Sequence, residues 1–243
     1  MSEMALNKSG TEFRRGFQAG ITIAIGYFPV ALTFGLLAKT TGLSLGETLL
    51  MSLVVYAGAA QYISLSLLTL GTGPFEIVLT TFIVNIRHFL MSASLNEKSE
   101  EEPPLIKAGY AFGITDETFS VAAVKEGTVS AGYMFGLNMI AYLSWGVFSG
   151  VGFIVGSSLP KTFQEGMSVA LYAMFVGLLV PSMKKGMKVV YLAVLAAIFN
   201  TIFTVTNALS TGWAIVVATL LSAVIVEWIV FVKGKQRGIK NEK

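Results

Sequence analysis

Long apolar runs separated by short polar breaks dominate this chain, and the breaks mark where helices begin and end. A helix that crosses a bilayer needs about 20 mostly apolar residues. The first such run covers residues 16–38, between Arg14–Arg15 and Lys39, with Pro29 in the stretch GYFPVALTFG. The second, 45–70, contains YAGAAQ and is closed by the turn GTGP at 71–74. The third, 75–95, carries Asn85, Arg87 and His88, and the polar linker NEKSEEEPPLIK follows it. The fourth segment, 109–126, is short and holds Asp116 and Glu117 at its centre, which suits a half-helix or re-entrant segment. Residues 127–160 carry no charge and contain the fifth run, 131–157. The sixth (165–183), seventh (189–206) and eighth (213–232) are divided by KKGMK and NALSTG. The pattern predicts an all-α polytopic membrane helix bundle of about eight segments, with broken or re-entrant helices. It forms one transmembrane domain over 1–232, and a basic cytoplasmic tail, expected to be disordered, occupies 233–243.

A faint repeat overlies this pattern. GFQAG (16–20) and GYMFG (132–136) each open a run with Gly-x-x-x-Gly, as two halves of about four segments would. Duplicated halves are common in secondary transporters, with the site at their interface. The same motif serves simple close packing of two helices.

Composition agrees with a bilayer as solvent. Hydrophobic residues make up 54% of the 243 and charged residues only 13%, about half the soluble norm. Cysteine is absent and histidine occurs once, so disulfides, cysteine metal sites and the two-histidine zinc motif are excluded. The pI near 9.0 reflects basic residues at segment ends rather than a nucleic-acid surface. By the positive-inside rule Arg14, Arg15, Lys184, Lys185, Lys188 and the tail read as cytoplasmic. Eight crossings put them all on one side and send the acidic 96–107 linker and Lys161 to the other. That scheme requires the fourth segment to cross.

Ionisable residues inside a bilayer are expensive, at least ~2.5–3.5 kcal/mol for an arginine at the centre, and mark function or pairing. Arg87 therefore calls for an anion, and Asp116 or Glu117 can supply it; the alternative is snorkelling to the interface. His88 reads either as a proton carrier, its ordinary pKa being near neutrality, or as a hydrogen-bonded core histidine. The TDE at 115–117 also reads as a helix start with Thr115 or Asp116 as N-cap, and a half-helix N-terminus within a membrane accepts an anion. Pro29 removes one helix hydrogen bond, leaving carbonyls for a cation or merely a kink. Gly58, Ala59 and Ala60 beside Gln61 provide space and a paired donor and acceptor, for packing or for a cavity. Two soluble-enzyme patterns lack their context. GLSLG (42–46) lies between membrane segments instead of on a strand–helix turn, and GVGFIVG (150–156) lacks dinucleotide-loop spacing.

Four blocks together carry a resemblance: GYFPVALTFGLLA (26–38), YAGAAQY (56–62), NIRHFLMSASL (85–95) and TDETFS (115–120). In that order and spacing they resemble the AzlC-type branched-chain amino acid exporters, from about Phe13 into the fifth run around Trp145 and Gly156. The acidic linker departs from the basic one of many relatives. The resemblance implies the large subunit of a two-component exporter in the bacterial cytoplasmic membrane, with a small AzlD-type membrane subunit as partner. Valine, leucine, isoleucine and analogues are the implied substrates; no cofactor and no enzymatic activity are implied. A zwitterionic substrate needs three subsites. Asp116, Glu117 or carbonyls near Pro29 suit the ammonium, and Arg87 or a half-helix N-terminus suits the carboxylate. The space at Gly58–Ala60 suits a branched side chain. A channel-like or scaffolding subunit, and a membrane enzyme built on His88, remain alternatives; for the latter no complete catalytic set is visible.

Overall fold

The computed structural model describes residues 3–158, 160–162, 176, 179–180, 183–184 and 186–241. The sixth predicted run, 165–183, lies almost wholly outside the described residues. Nine α-helices are present among the described residues: α1 (Glu3–Thr40), α2 (Leu45–Leu50), α3 (Gly58–Thr69), α4 (Pro74–Lys98), α5 (Pro104–Ala111), α6 (Asp116–Val124), α7 (Ala131–Val155), α8 (Met187–Val205) and α9 (Thr211–Asn241). A π turn, Met51–Val55, extends α2. Among the described residues, five helices are long and apolar enough to cross a membrane: α1, α4, α7, α8 and α9. The helix α9 runs on through the basic tail to Asn241, where the sequence predicts disorder. The chain divides into two compact units, 1–66 with 84–173 and 67–83 with 174–243.

The first unit is organised by α1 and α7, which lie side by side and parallel. Contacts advance along both helices together: Gly16 meets Tyr133, Ser144 Oγ donates to the Ala24 carbonyl (3.0 Å), Gly152 meets Leu32 and Gly156 meets Leu36. A Cβ at Gly16, Gly35 or Gly136 would lie 2.0 Å from a backbone carbonyl oxygen of the other helix. The two Gly-x-x-x-Gly motifs thus make one close helix crossing, the packing use of the motif.

The second predicted run does not cross. From the C-terminal end of α1, α2 and its π turn descend along α7, Leu49 beside Gly150 and Leu53 beside Gly146. The chain reverses at Tyr56, whose left-handed φ of 43° is uncommon for an aromatic residue. Then α3 climbs back along α1, Gly58 against Trp145 and the Tyr62 hydroxyl donating to the Val30 carbonyl (2.6 Å). The sequence reads 45–70 as one run because both legs are apolar and no proline marks the reversal.

The fourth run also turns back. At its start Lys107 Nζ donates to Asn96 Oδ1 (2.8 Å). At its finish Lys98 Nζ donates to the Ala123 carbonyl (2.7 Å) and to that of Lys125. Both ends therefore sit at the C-terminal end of α4, where Val129 N–H donates to the Lys98 carbonyl (3.0 Å). With 8 residues in α5 and 9 in α6, each leg rises only about 12–14 Å, half the ~30 Å hydrocarbon core. The linker also lies at the N-terminal end of α1, since Lys125 Nζ stands 3.8 Å from Glu12. This corrects the eight-crossing scheme, which put that linker on the side opposite Arg14 and Arg15.

In the second unit α8 and α9 run antiparallel, Lys188 near the start of α8 pairing with Glu227 late in α9 (2.5 Å). Glu76, in the first turn of α4, caps α9 by accepting from Trp213 N–H (3.1 Å) and from the Ser210 hydroxyl.

Candidate functional site

The two hairpins enter the first unit from opposite ends of the α1–α7 pair and their tips meet halfway along it. Tyr56, at the α2–α3 tip, stacks on Phe112, the C-cap of α5 beside the other tip, with ring centroids 6.2 Å apart. Both rings also pack against Tyr142 of α7. Each tip carries a glycine on which an α7 side chain rests. A Cβ at Gly58 would lie 2.9 Å from Trp145, and one at Gly113 would lie 2.5 Å from Asn138.

The α5–α6 tip is latched to α1 and α4. Thr115 is the N-cap of α6, its hydroxyl accepting from Thr118 N–H while the Thr118 hydroxyl accepts from Thr115 N–H. That cap aims the next two acids in different directions, about 100° apart on the helix. Asp116 meets Arg87 of α4 at 2.9 Å. Glu117 accepts from the Tyr27 hydroxyl of α1 at 2.7 Å, and that hydroxyl also lies 2.8 Å from Thr115 Oγ1. Arg87 is thus neutralised by a partner rather than drawn to the interface, its side chain 34% and that of Asp116 25% exposed. Glu117 is left as the acid with no basic partner within salt-bridge distance among the described residues.

The α2–α3 tip is latched to α7. Trp145 Nε1 donates to Gln61 Oε1 (3.0 Å), Gln61 Nε2 donates to Ser52 Oγ (3.3 Å), and the Tyr142 hydroxyl donates to the Leu53 carbonyl in the π turn (2.6 Å). The first turn of α3, Gly58–Ala59–Ala60, offers N–H groups without intrahelical partners and almost no side chain to cover them. The Tyr56 hydroxyl is buried without a hydrogen-bond partner among the described residues.

Of the residues singled out in the sequence, Gly58, Gln61, Asp116 and Glu117 lie at the tips, and Arg87 reaches one of them from α4 through Asp116. His88 does not join them through an ion pair; its Nδ1 donates to the Asn85 carbonyl on its own helix (3.1 Å). Asn85 Oδ1 is buried without a hydrogen-bond partner. Pro29 does not open α1, which stays helical through it, and its carbonyl accepts from Thr33 Oγ1 (2.8 Å). Sequence reasoning missed Tyr27, Tyr56, Trp145 and Ser52. Tyrosine and tryptophan in apolar runs read as core, and only Tyr27, two residues before Pro29 in GYFPVA, had a local signal.

Comparison with known proteins agrees with this membrane architecture. Residues 22–159, which contain both hairpins, match the family described as AzlC protein. A membrane protein of Archaeoglobus fulgidus is 31% identical over 74% of this chain and 80% of its own length. The inner membrane protein YgaZ of Escherichia coli is 31% identical over 88% of this chain and 90% of its own. The branched-chain amino acid transport protein AzlC of Bacillus subtilis is 26% identical over 72% and 70%. No solved structure matches the chain. The chain belongs to the AzlC family of polytopic membrane proteins, and its role is in membrane transport.

Proposed function

We propose that the protein is a secondary transporter that exports branched-chain amino acids as the large subunit of a two-component exporter, held between the two hairpin tips. The observation that carries this reading is the meeting of two opposed hairpins at a pair of half-helix N-termini beside one unneutralised carboxylate, Glu117. Discontinuous helices of this kind bind substrates in transporters, with N-termini toward anionic groups. The substrate ammonium pairs with Glu117 and the Tyr27 and Tyr56 hydroxyls. The substrate carboxylate takes the amides of Gly58–Ala60, to which the dipole of α3 adds a favourable field. Arg87 then serves by holding Asp116 and the α6 start in place, not by binding substrate.

Alternating access follows from the hairpins. Unlatching α5–α6 from Tyr27 and Arg87 opens the site toward the N-terminal end of α1, and unlatching α2–α3 from Trp145 and Tyr142 opens it toward the other end. Two runs turn back where the eight-crossing scheme has none, so the expected crossings fall by two and the parity of the termini is unchanged. Arg14, Arg15, Lys184, Lys185, Lys188 and the tail therefore still read as cytoplasmic, now together with the 96–107 linker.

The test is efflux from cells lacking other branched-chain exporters, loaded with valine- or leucine-containing dipeptides. The chain is expressed with and without an AzlD-type small subunit. Faster clearance with both subunits supports the reading. Unchanged clearance with both proteins in the membrane overturns it.

A further inference from the structure

We infer that Trp145 is the specificity-determining residue of this site, the apolar wall against which the substrate's aliphatic side chain packs. The inference rests on the amino acid reading above and gives Trp145, there only a latch for the α2–α3 hairpin, a contact with the substrate itself. Trp145 is buried, 3% exposed, and touches both polar subsites. Its benzo edge lies over Gly58, at the α3 amides that take the carboxylate. Its ring meets Tyr27, the partner of Glu117, edge-on at 5.1 Å. An amino acid anchored at both subsites carries its side chain from the carbon between them, and the indole stands beside both anchors.

The ring is also fixed in place. Phe34 stacks on it at 6.3 Å, and the chain from Trp145 Nε1 through Gln61 to the buried Ser52 sets its rotation. A wall fixed on two sides discriminates by size, because a larger side chain cannot push it away without breaking those bonds. A methylene of misfit in an apolar pocket is worth roughly 10- to 200-fold. Gly58 belongs to the same device: any side chain there would press on the indole.

The experiment is competitive efflux of valine, leucine and phenylalanine from cells expressing the full chain with its small subunit. Trp145→Leu and Trp145→Phe are each expected to raise the phenylalanine-to-valine ratio, about tenfold or more for Trp145→Leu. Phe148→Leu, on the same helix but packed on Leu32 and Leu36, is expected to leave the ratio unchanged. Should both Trp145 variants be silent in efflux, the relative affinities for leucine and phenylalanine, from thermal shift of purified protein, decide instead. Active or binding-competent variants with the wild-type ratio overturn the inference while the exporter reading stands. Wild-type protein that exports no aliphatic amino acid removes that reading, and this inference with it.

Discussion

The Tyr27 hydroxyl donates to the Glu117 carboxylate at 2.7 Å, joining the first long helix to the tip of a re-entrant hairpin 90 residues later in the chain. The same hydroxyl meets the N-cap Thr115, so one oxygen reads both the start of α6 and its free acid. Hydrogen bonds to charged groups contribute about 1.5–3 kcal/mol. Tyr27→Phe keeps the ring and its edge contact with Trp145 while removing that oxygen. Efflux is expected to fall about 10- to 100-fold at unchanged membrane protein level. Glu117→Gln, which keeps an acceptor for Tyr27 but removes the charge, is expected to abolish it. Wild-type efflux by both variants would remove the ammonium site from Glu117.

The Arg87–Asp116 pair holds the same tip but is expected to behave as structure. Removing one partner leaves the other ion half-buried and unpaired, whereas removing both leaves no orphan charge. With these groups a quarter to a third exposed, solvent softens the penalty to roughly 1 kcal/mol, the low end for an unsatisfied group. Arg87→Leu and Asp116→Leu are each expected to lower the thermal midpoint in detergent, and the double variant to recover most of the loss. A double variant whose loss equals the sum of the singles would deny the coupling.

How much of this was legible in the sequence follows from where the signals are local. The break before α6 was readable because TDE at 115–117 is a local helix-start signal, and Thr115 is the N-cap. The Arg87–Asp116 pair was readable because isolated charges in apolar runs have few partners to choose from. The reversal at Tyr56 was not, since a left-handed tyrosine costs strain that only the surrounding stack with Phe112 and Tyr142 sustains. Nor was the role of Trp145, whose partner Gln61 lies 84 residues away. The Ser of GLSLG needed structure only to confirm its disposal: Ser44 is the N-cap of α2, in a capping box with Glu47.

The α1–α7 crossing sets a demand on glycine that differs position by position. Alanine at Gly35 or Gly152 would put a Cβ about 2 Å from a backbone oxygen of the facing helix, which no rotamer change relieves. Gly35→Ala and Gly152→Ala are expected to destabilise by about 1–3 kcal/mol or more, the range for overpacking. Gly26 lies on the same α1 helix with nothing within 4 Å of its would-be Cβ. Gly26→Ala is expected to be neutral or to stabilise by up to about 1 kcal/mol through helix propensity. Thermal unfolding of the purified variants checks the contrast, and equal effects at all three positions would contradict the crossing.

Sidedness tests the fold most directly, and a chain without cysteine permits it with single substitutions. Gly10→Cys lies near the start of α1, Glu101→Cys in the acidic linker and Thr40→Cys at the far end of α1, all three exposed positions. Because the α5–α6 hairpin returns to the end of α4 and the linker adjoins Glu12 through Lys125, positions 10 and 101 share one side. Position 40, separated from position 10 by the apolar length of α1, takes the other. With a membrane-impermeant thiol reagent on intact cells, Thr40→Cys is expected to label, whereas Gly10→Cys and Glu101→Cys label only after permeabilisation. Eight full crossings would instead expose Glu101→Cys to the outside together with Thr40→Cys. Labelling of position 101 together with position 40, but not position 10, in intact cells would therefore restore a spanning second segment, and with it dissolve the opposed hairpins on which the substrate site depends.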